Sequence, residues 1–163
     1  MSTAFNADEI FEIAEQIERN GAKFYRKAAE GAAGETARDV LLDLAAMEDD
    51  HEKTFAAMRS ELSLKEKASA TFDPDGQAVA YLQAIAGGHV FDVKADPSEK
   101  LTGKETVAEV FKTAIGLEKD SVVFYVGMKD LVGESLGKDK ISHIIAEEMT
   151  HITLLSDQLA KSV

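Results

Sequence analysis

Carboxylate and imidazole side chains recur in this chain in one pattern that occurs twice, one hundred positions apart. Each copy reads Glu-x6-Tyr in one segment and Glu-x2-His in a later one. The residues of the two copies are Glu18, Tyr25, Glu48, His51, Glu118, Tyr125, Glu148 and His151. Four carboxylates and two imidazoles, supplied by four helices, are the ligands that a pair of iron or manganese ions takes in helical bundles. The sequence therefore predicts a dinuclear metal centre with the four glutamates and two histidines as ligands.

The spacing within each copy explains how one helix can supply two ligands. Glu48 and His51 lie about 60° apart around a helix and ~4.5 Å apart along its axis, so both can reach one metal ion. The second copy repeats this spacing. We predict that Glu18 and Glu118, which come from the other two helices, bridge the ions. Each ion would then have one histidine, the glutamate of the same Glu-x2-His pair and shared carboxylates.

The two tyrosines of the pattern, Tyr25 and Tyr125, lie about two helical turns after the first glutamate of each copy. Two interpretations are open. They are core aromatic residues whose hydroxyls find some partner, or they donate hydrogen bonds to ligand carboxylates, across the two halves. In the second interpretation the tyrosines tune the ligands or donate protons in catalysis.

Other polar residues near the pattern are weaker candidates. Glu147 is an alternative to Glu148 because it stands four residues before His151, but the register of the repeat favours Glu148. His89, which follows two glycines, and His143 are expected at the surface.

Hydrophobic periodicity predicts an all-α protein built as one domain over residues 1–163. Long amphipathic helices are predicted over residues 7–30, 35–62, 103–132 and 138–161. Asn6 with Glu9, and Thr102 with Glu105, have the spacing of a capping box and predict where the first and third helices begin. The short connections within each half favour two helical hairpins of an antiparallel four-helix bundle. A long crossover, residues 63–102, joins the hairpins and contains a short helix.

The two halves are an internal repeat that has diverged widely. When residues 9–59 are compared with residues 109–159, the identical positions of the first half are Glu9, Phe11, Ala14, Glu18, Phe24, Tyr25, Asp39, Ala46, Glu48 and His51. Every member of the Glu, Tyr, Glu, His pattern is among them. A pseudo-two-fold axis would bring both copies together inside the bundle.

Composition excludes several classes of function. The net charge of −12 argues against nucleic acid and anionic membranes as partners, because no basic patch could offset phosphate repulsion. The chain has no cysteine, which excludes disulfides, iron–sulfur clusters and thiol catalysis and fits a cytoplasmic protein. The first residues lack the basic start and apolar run of a secretory signal. No stretch reaches the ~18 apolar residues of a membrane span.

The motifs Glu18-x6-Tyr25, Glu48-Asp-Asp-His51, Glu118-x6-Tyr125 and Glu148-Met-Thr-His151 resemble those of the ferritin-like superfamily, most closely its rubrerythrin branch. The resemblance covers the four long helices and extends less clearly to the crossover. It implies two iron ions per chain, with manganese or a mixed pair as the alternative. It also implies reduction of hydrogen peroxide or dioxygen with electrons from an external donor protein, and it is consistent with a homodimer.

The chain departs from that resemblance in two respects. Rubrerythrins commonly carry a rubredoxin module that holds iron by four cysteines, and this chain has no cysteine, so electrons would come from a separate protein. Many also carry an additional glutamate one turn beyond the third-helix ligand, where this chain has Ser121. The six-ligand set is also like that of bacterioferritins. Two alternatives therefore stay open: a ferroxidase or other iron-handling protein, and a non-catalytic helical module with a vestigial site.

Overall fold

The computed structural model describes residues 6–68, 73–87 and 92–162, and within these ranges the chain is helical with short connections. The α-helices are α1 (Ala7–Gly31), α2 (Glu35–Ser60), α3 (Leu64–Ala68), α4 (Gln77–Ala86), α5 (Val107–Leu131) and α6 (Lys138–Lys161). Short 3-10 helices lie at Pro97–Lys100 and Glu134–Leu136. Within those ranges, no helix combines the length and the apolar character that crossing a bilayer requires. His89 lies outside the described residues.

The four long helices form two hairpins. α1 packs most extensively against α2, and α5 packs most extensively against α6. The crossover between the hairpins carries α3, α4 and the 3-10 helix Pro97–Lys100, so the predicted short helix is present as α4. The side-chain amide of Asn20 donates to the carbonyl of Val93 at 2.8 Å, and Lys27 donates to the carbonyl of Ser98 at 2.8 Å. These bonds attach the second part of the crossover to α1.

Capping explains where the first helix begins and corrects the predicted start of the third. Asn6 and Glu9 form the predicted capping box, with each side chain bonded to the other residue's backbone N–H. The prediction that Thr102 and Glu105 cap the third long helix was wrong. Those two residues do bond to each other, at 2.7 Å, but Gly103 follows with a φ of 80°, which no helix can accommodate.

The third long helix instead begins one turn later. Thr106 is its N-cap residue, and Glu109 completes the capping box. Two Thr-x-x-Glu sequences overlap here, and each satisfies the local rule for a helix start. Only the second leads into residues that continue as a helix, so α5 runs over Val107–Leu131 rather than from residue 103.

Apolar side chains form two core clusters along the bundle. One contains the beginning of α1 with the ends of α2 and α5, and its largest members are Phe11, Phe55, Leu82, Phe124, Tyr125 and Met128. The other contains the later part of α1 with the beginnings of α2 and α5, and its largest members are Phe24, Tyr25, Leu41, Leu44, Phe111 and Leu155. Burial of these side chains holds the helices together and encloses the polar residues that lie between the clusters.

Candidate metal centre

The six predicted ligands meet in one buried layer in the middle of the bundle. α1 supplies one glutamate, α5 supplies one glutamate, and α2 and α6 each supply a Glu-x2-His pair. None of the six is more than 5% exposed: Glu18, Glu48, His51, Glu118, Glu148 and His151. Charged side chains are almost never buried to this extent unless they are paired or bind a metal ion.

These side chains form two overlapping groups, each of which could hold one metal ion. In each group the potential ligand atoms all lie within 4.8 Å of one another. The group that we call the His51 position contains Glu18, Glu48, His51 and Glu148. The group that we call the His151 position contains Glu48, Glu118, Glu148 and His151. Two neighbouring positions that share carboxylates suit a dinuclear centre, and the helices supply the ligand types of the di-iron carboxylate bundles.

The overlap corrects the predicted roles of the glutamates. Glu18 and Glu118 were predicted to bridge, but each belongs to one group only, whereas Glu48 and Glu148 belong to both. The reason is visible in their hydrogen bonds. Tyr125 donates to Oε1 of Glu18, and Tyr25 donates to Oε1 of Glu118, so each of these carboxylates already has one oxygen engaged. Neither has both oxygens free to span two positions.

Several buried polar atoms in this layer have no hydrogen-bond partner. They are Glu18 Oε2, Glu48 Oε1, His51 Nδ1, both carboxylate oxygens of Glu148 and His151 Nδ1. A buried polar atom without a partner costs about 1–3 kcal/mol, and more when the group is charged. All six atoms are potential metal ligands of the hard oxygen and imidazole type that iron and manganese accept. The residues present therefore fit a pair of such cations.

Both imidazoles turn Nδ1 toward the carboxylates. Nδ1 of His51 lies 2.7 Å from Glu148 Oε1 and 3.5 Å from Glu18 Oε2. Nδ1 of His151 lies 3.3 Å from both Glu48 Oε1 and Glu148 Oε2. The two rings stack with centroids 5.7 Å apart and an interplanar angle of 21°. These contacts are close, but they lack the alignment of hydrogen bonds, as is expected when nitrogen and oxygen atoms surround a common cation position.

The protonation equilibria of the glutamates reflect this crowding of charge. Burial, followed by repulsion from Glu18 and Glu148, raises the pKa of Glu48 well above its ordinary value. Burial and the adjacent Glu148 raise the pKa of Glu118 to about 8, against the opposing effect of His151. Burial and repulsion from Glu18 would raise the pKa of Glu148, but its contacts with Glu118 and both histidines outweigh them, so the pKa is lowered. Without a cation, the layer must retain protons.

The histidines carry part of that compensating charge. Burial by itself lowers the pKa of His51, but the carboxylates of Glu148 and Glu18 outweigh it and raise the pKa to about 11. Burial also lowers the pKa of His151, but the carboxylates of Glu118 and Glu148 outweigh it and raise the pKa to about 9. A bound cation would replace these protons, because imidazole coordinates a metal ion only in its neutral form.

The tyrosines connect the two halves of the repeat. Tyr25 of the first half bonds to a glutamate of the second half, and Tyr125 of the second half bonds to a glutamate of the first. Both phenols are buried, and burial together with the neighbouring carboxylates raises the pKa of each well above the ordinary value. The hydroxyls therefore stay protonated and act as donors. Of the two interpretations left open by the sequence, the structure contains the hydrogen bond to a carboxylate across the pseudo-two-fold axis.

Two other residues differ from what the sequence suggested. Glu147, considered only as a rival to Glu148, lies at the edge of the layer, where its Oε2 is 3.0 Å from Nε2 of His51. Its position four residues before His151 suggested a contact with His151. The contact is with His51 instead, because α6 packs against α2. Ser121 is buried, and its hydroxyl donates to the carbonyl of Leu117, so it supplies no additional carboxylate.

A cavity of about 260 Å³ reaches the layer from the side covered by the crossover. Its lining includes Tyr25, Glu48, Glu118, Gly21 and Ser121. Gly21 and Ser121 are equivalent positions of the repeat, each one turn beyond the first glutamate, and their small side chains leave room there. A Cβ atom at Gly21 would lie 3.0 Å from Oε2 of Glu48. The pair of small residues at matched positions was a signal in the sequence that the repeat comparison could have detected.

Comparison with known proteins supports the fold. No protein-family model and no curated protein matches the sequence. A Thermotoga maritima protein, described as a ferritin-like diiron-carboxylate protein, has a similar crystal structure. The similarity covers 100% of both chains with a TM-score of 0.72 and 24% sequence identity. The chain therefore has the ferritin-like four-helix fold, and the predicted fold class is confirmed. Membership of the rubrerythrin branch stays a prediction.

Proposed function

We propose that this protein is a di-iron oxidoreductase of the rubrerythrin type, which reduces hydrogen peroxide, or dioxygen, with electrons from an external donor protein. The observation that carries the proposal is the set of six buried ligand atoms without partners, which converge on two positions with two shared carboxylates. The similarity to a protein described as a diiron-carboxylate protein supports iron, although the same ligands would hold manganese or a mixed pair.

Each side chain of the layer has a distinct task in this proposal. The shared carboxylates, Glu48 and Glu148, hold the two ions together, and the histidines supply one nitrogen to each ion. Glu18 and Glu118 complete the two positions, each oriented by a tyrosine of the other half. Since all these groups are fixed by helices packed in a core, the centre is held rigidly.

The cavity supports access by a small oxidant. It has room for a molecule the size of peroxide or dioxygen and reaches Glu48 and Glu118 from the crossover side. Iron bound there would supply two electrons, which together with two protons convert one hydrogen peroxide to two waters. Tyr25 and Tyr125 hold protons beside the carboxylates and are the candidate donors. Because the chain has no cysteine to hold a second iron site, a separate protein would return the electrons.

The proposal is tested by loading the full chain with ferrous iron without oxygen and mixing it with peroxide or dioxygen in a stopped-flow instrument. We expect two iron ions per chain and oxidation by peroxide that is faster than oxidation by dioxygen. Iron loading far above two per chain, with slow peroxide oxidation, would indicate an iron-handling protein instead. Protein from iron-supplemented cells that carries no metal would contradict the proposal and indicate a vestigial site.

A matched pair of variants tests the role of the cavity. Ser121→Leu fills part of the cavity without removing any proposed ligand, so we expect two bound irons and slower oxidation by peroxide. Ser142→Leu is the control, because Ser142 also bonds to a backbone carbonyl of its own helix but is exposed on α6. Equal oxidation rates in the two variants would contradict entry of the oxidant through this cavity.

A further inference from the structure

The outer nitrogen of His51 has a carboxylate partner. While Nδ1 faces the buried layer, Nε2 lies 3.0 Å from Oε2 of Glu147, whose side chain is 45% exposed. A carboxylate in that place accepts the Nε2–H bond and leaves the lone pair of Nδ1 for a metal ion. A carboxylate bonded to the far side of a ligating imidazole also makes the imidazole a stronger base and fixes its ring orientation.

The other half of the repeat has no equivalent partner. The position that corresponds to Glu147 is Met47, which is exposed. A thioether sulfur is a weak acceptor and carries no charge. In the part of the chain that the structure describes, every carboxylate paired with His151 lies against Nδ1, and none is paired with Nε2. Both histidines therefore turn Nδ1 to the buried carboxylates, but only His51 has a carboxylate at Nε2.

Several other features of the layer do follow the two-fold relation. The tyrosine bonds, the Phe–Tyr edge contacts and the two groups of potential ligands all occur in both halves. A second difference between the halves lies next to Glu147. Nε2 of His143, a side chain 75% exposed, lies 3.6 Å from the other oxygen of Glu147, and the equivalent residue of the first half is Asp43.

From this asymmetry we infer that Glu147 is a positioning residue that makes the two metal positions inequivalent, so that the His51 position binds a divalent ion more tightly. The inference rests on the metal centre of the proposed function. Loss of such a carboxylate partner typically weakens metal binding by about 10–100-fold. Repulsion between two ions in one centre produces two binding steps even in a symmetric site. The decisive observable is therefore the order in which the positions fill, not the presence of two steps.

The experiment titrates the metal-free full chain with cobalt(II) alone while imidazole signals are followed by nitrogen-15 NMR. Broadening through space would reach both rings, whose centroids are 5.7 Å apart, so the through-bond contact shift of the coordinated ring reports which histidine binds the first ion. In the wild-type protein we expect His51 to show the contact shift with the first equivalent of cobalt. The position at His151 should bind cobalt about tenfold or more weakly, so that its contact shift appears later. In Glu147→Met neither half has a carboxylate at this position, and we expect the interval between the two contact shifts to shrink.

The exchange variant, Met47→Glu combined with Glu147→Met, gives the sharpest result. It keeps the composition and the net charge of the chain and moves the carboxylate to the other half. We expect His151 to be filled first in this variant, and circular dichroism to report an unchanged helical fold. A wild-type titration in which both histidines show the contact shift together, or an exchange variant that still fills His51 first, would overturn the inference while leaving the proposed function intact. Failure of the wild-type chain to bind cobalt would contradict the proposed function itself.

Discussion

At the scale of single residues, the four glutamates have two different tasks although the sequence presents them as equivalent. Glu48 and Glu148 belong to both potential metal positions, and Glu18 and Glu118 belong to one each. A carboxylate between two cations offsets repulsion for both, whereas a carboxylate at one end acts on its own cation only. Substitutions in the two classes should therefore have different effects on metal content.

We predict that Glu148→Gln removes both metal ions and that Glu18→Gln leaves one. Glutamine preserves the shape of the side chain but is a weaker, neutral ligand, so the loss of charge is the main change. Metal content per chain after gel filtration, measured by elemental analysis, distinguishes the two. The exposed substitution Glu12→Gln on α1 is the control and should leave two ions. Equal metal loss in Glu148→Gln and Glu18→Gln would contradict the distinction between shared and terminal carboxylates.

A second prediction concerns Gly21, whose added Cβ would lie 3.0 Å from Oε2 of Glu48. Without metal, the carboxylate of Glu48 can shift, and alanine in a helix is favoured over glycine by up to about 1 kcal/mol. We expect Gly21→Ala to leave the metal-free protein at least as stable as the wild type in urea. With metal, the carboxylate cannot shift, so we expect affinity to fall. Unchanged cobalt affinity would show that the layer tolerates the displacement.

At the scale of secondary-structure elements, the crossover helix α4 is seated against α5 at Gly127. A Cβ atom there would lie 2.5 Å from the ring of Tyr81 and 2.9 Å from Leu82, which is closer than packed side chains allow. The hydroxyl of Tyr81 donates to the carbonyl of Val123, also on α5. Glycine at this position therefore determines how closely the crossover approaches the bundle.

We predict that Gly127→Ala destabilises the protein by about 1–3 kcal/mol, the usual cost of forcing extra atoms into a packed contact. Gly116→Ala is the matched control in the same helix, because a Cβ atom there has no neighbour within 4 Å. That control should stabilise the protein by about 0.4–1 kcal/mol through helix propensity and reduced freedom of the unfolded chain. Urea unfolding monitored by circular dichroism measures both. A stabilised Gly127→Ala variant would contradict the close seating of α4.

At the scale of the whole molecule, the buried layer links stability to pH. In the metal-free protein, the pKa of Glu118 is raised from 4.5 to about 8 by burial and the adjacent Glu148. The pKa of His151 is raised from 6.5 to about 9, because the carboxylates outweigh its burial. Across these intervals the folded state binds more protons than the unfolded state, so the free energy of unfolding must fall as the pH rises.

We therefore predict opposite pH trends with and without metal. The stability contributed by the raised groups is present below their ordinary pKa values and is lost as the pH rises toward about 8 for Glu118 and about 9 for His151. Metal binding releases those protons, so the stabilisation by metal grows over the same interval. Urea unfolding at about pH 6 and about pH 8.5, with and without cobalt, measures both trends. A metal-free protein that gains stability over this interval would contradict the prediction.

Much of the arrangement could be read from local patterns. Helical periodicity and the Asn6–Glu9 capping box predicted α1 correctly, because both depend on residues within a few positions of each other. The predicted start of α5, at residue 103, was wrong because two capping sequences overlap there. The positive φ of Gly103 decides between them, and the sequence pattern does not show it. The repeat register chose Glu148 over Glu147 for the buried layer, where Glu148 lies fully buried.

What the sequence determined by itself was the helical framework, the duplication and the types of side chain that face inward, since helical period and residue chemistry are local properties. Tertiary structure alone decided which carboxylates are shared, which tyrosine meets which glutamate, and that Glu147 reaches His51 from another helix. Those relations join residues about a hundred positions apart, and they follow from the distances at which packed helices approach one another. The pattern of a single helix contains no information about those distances.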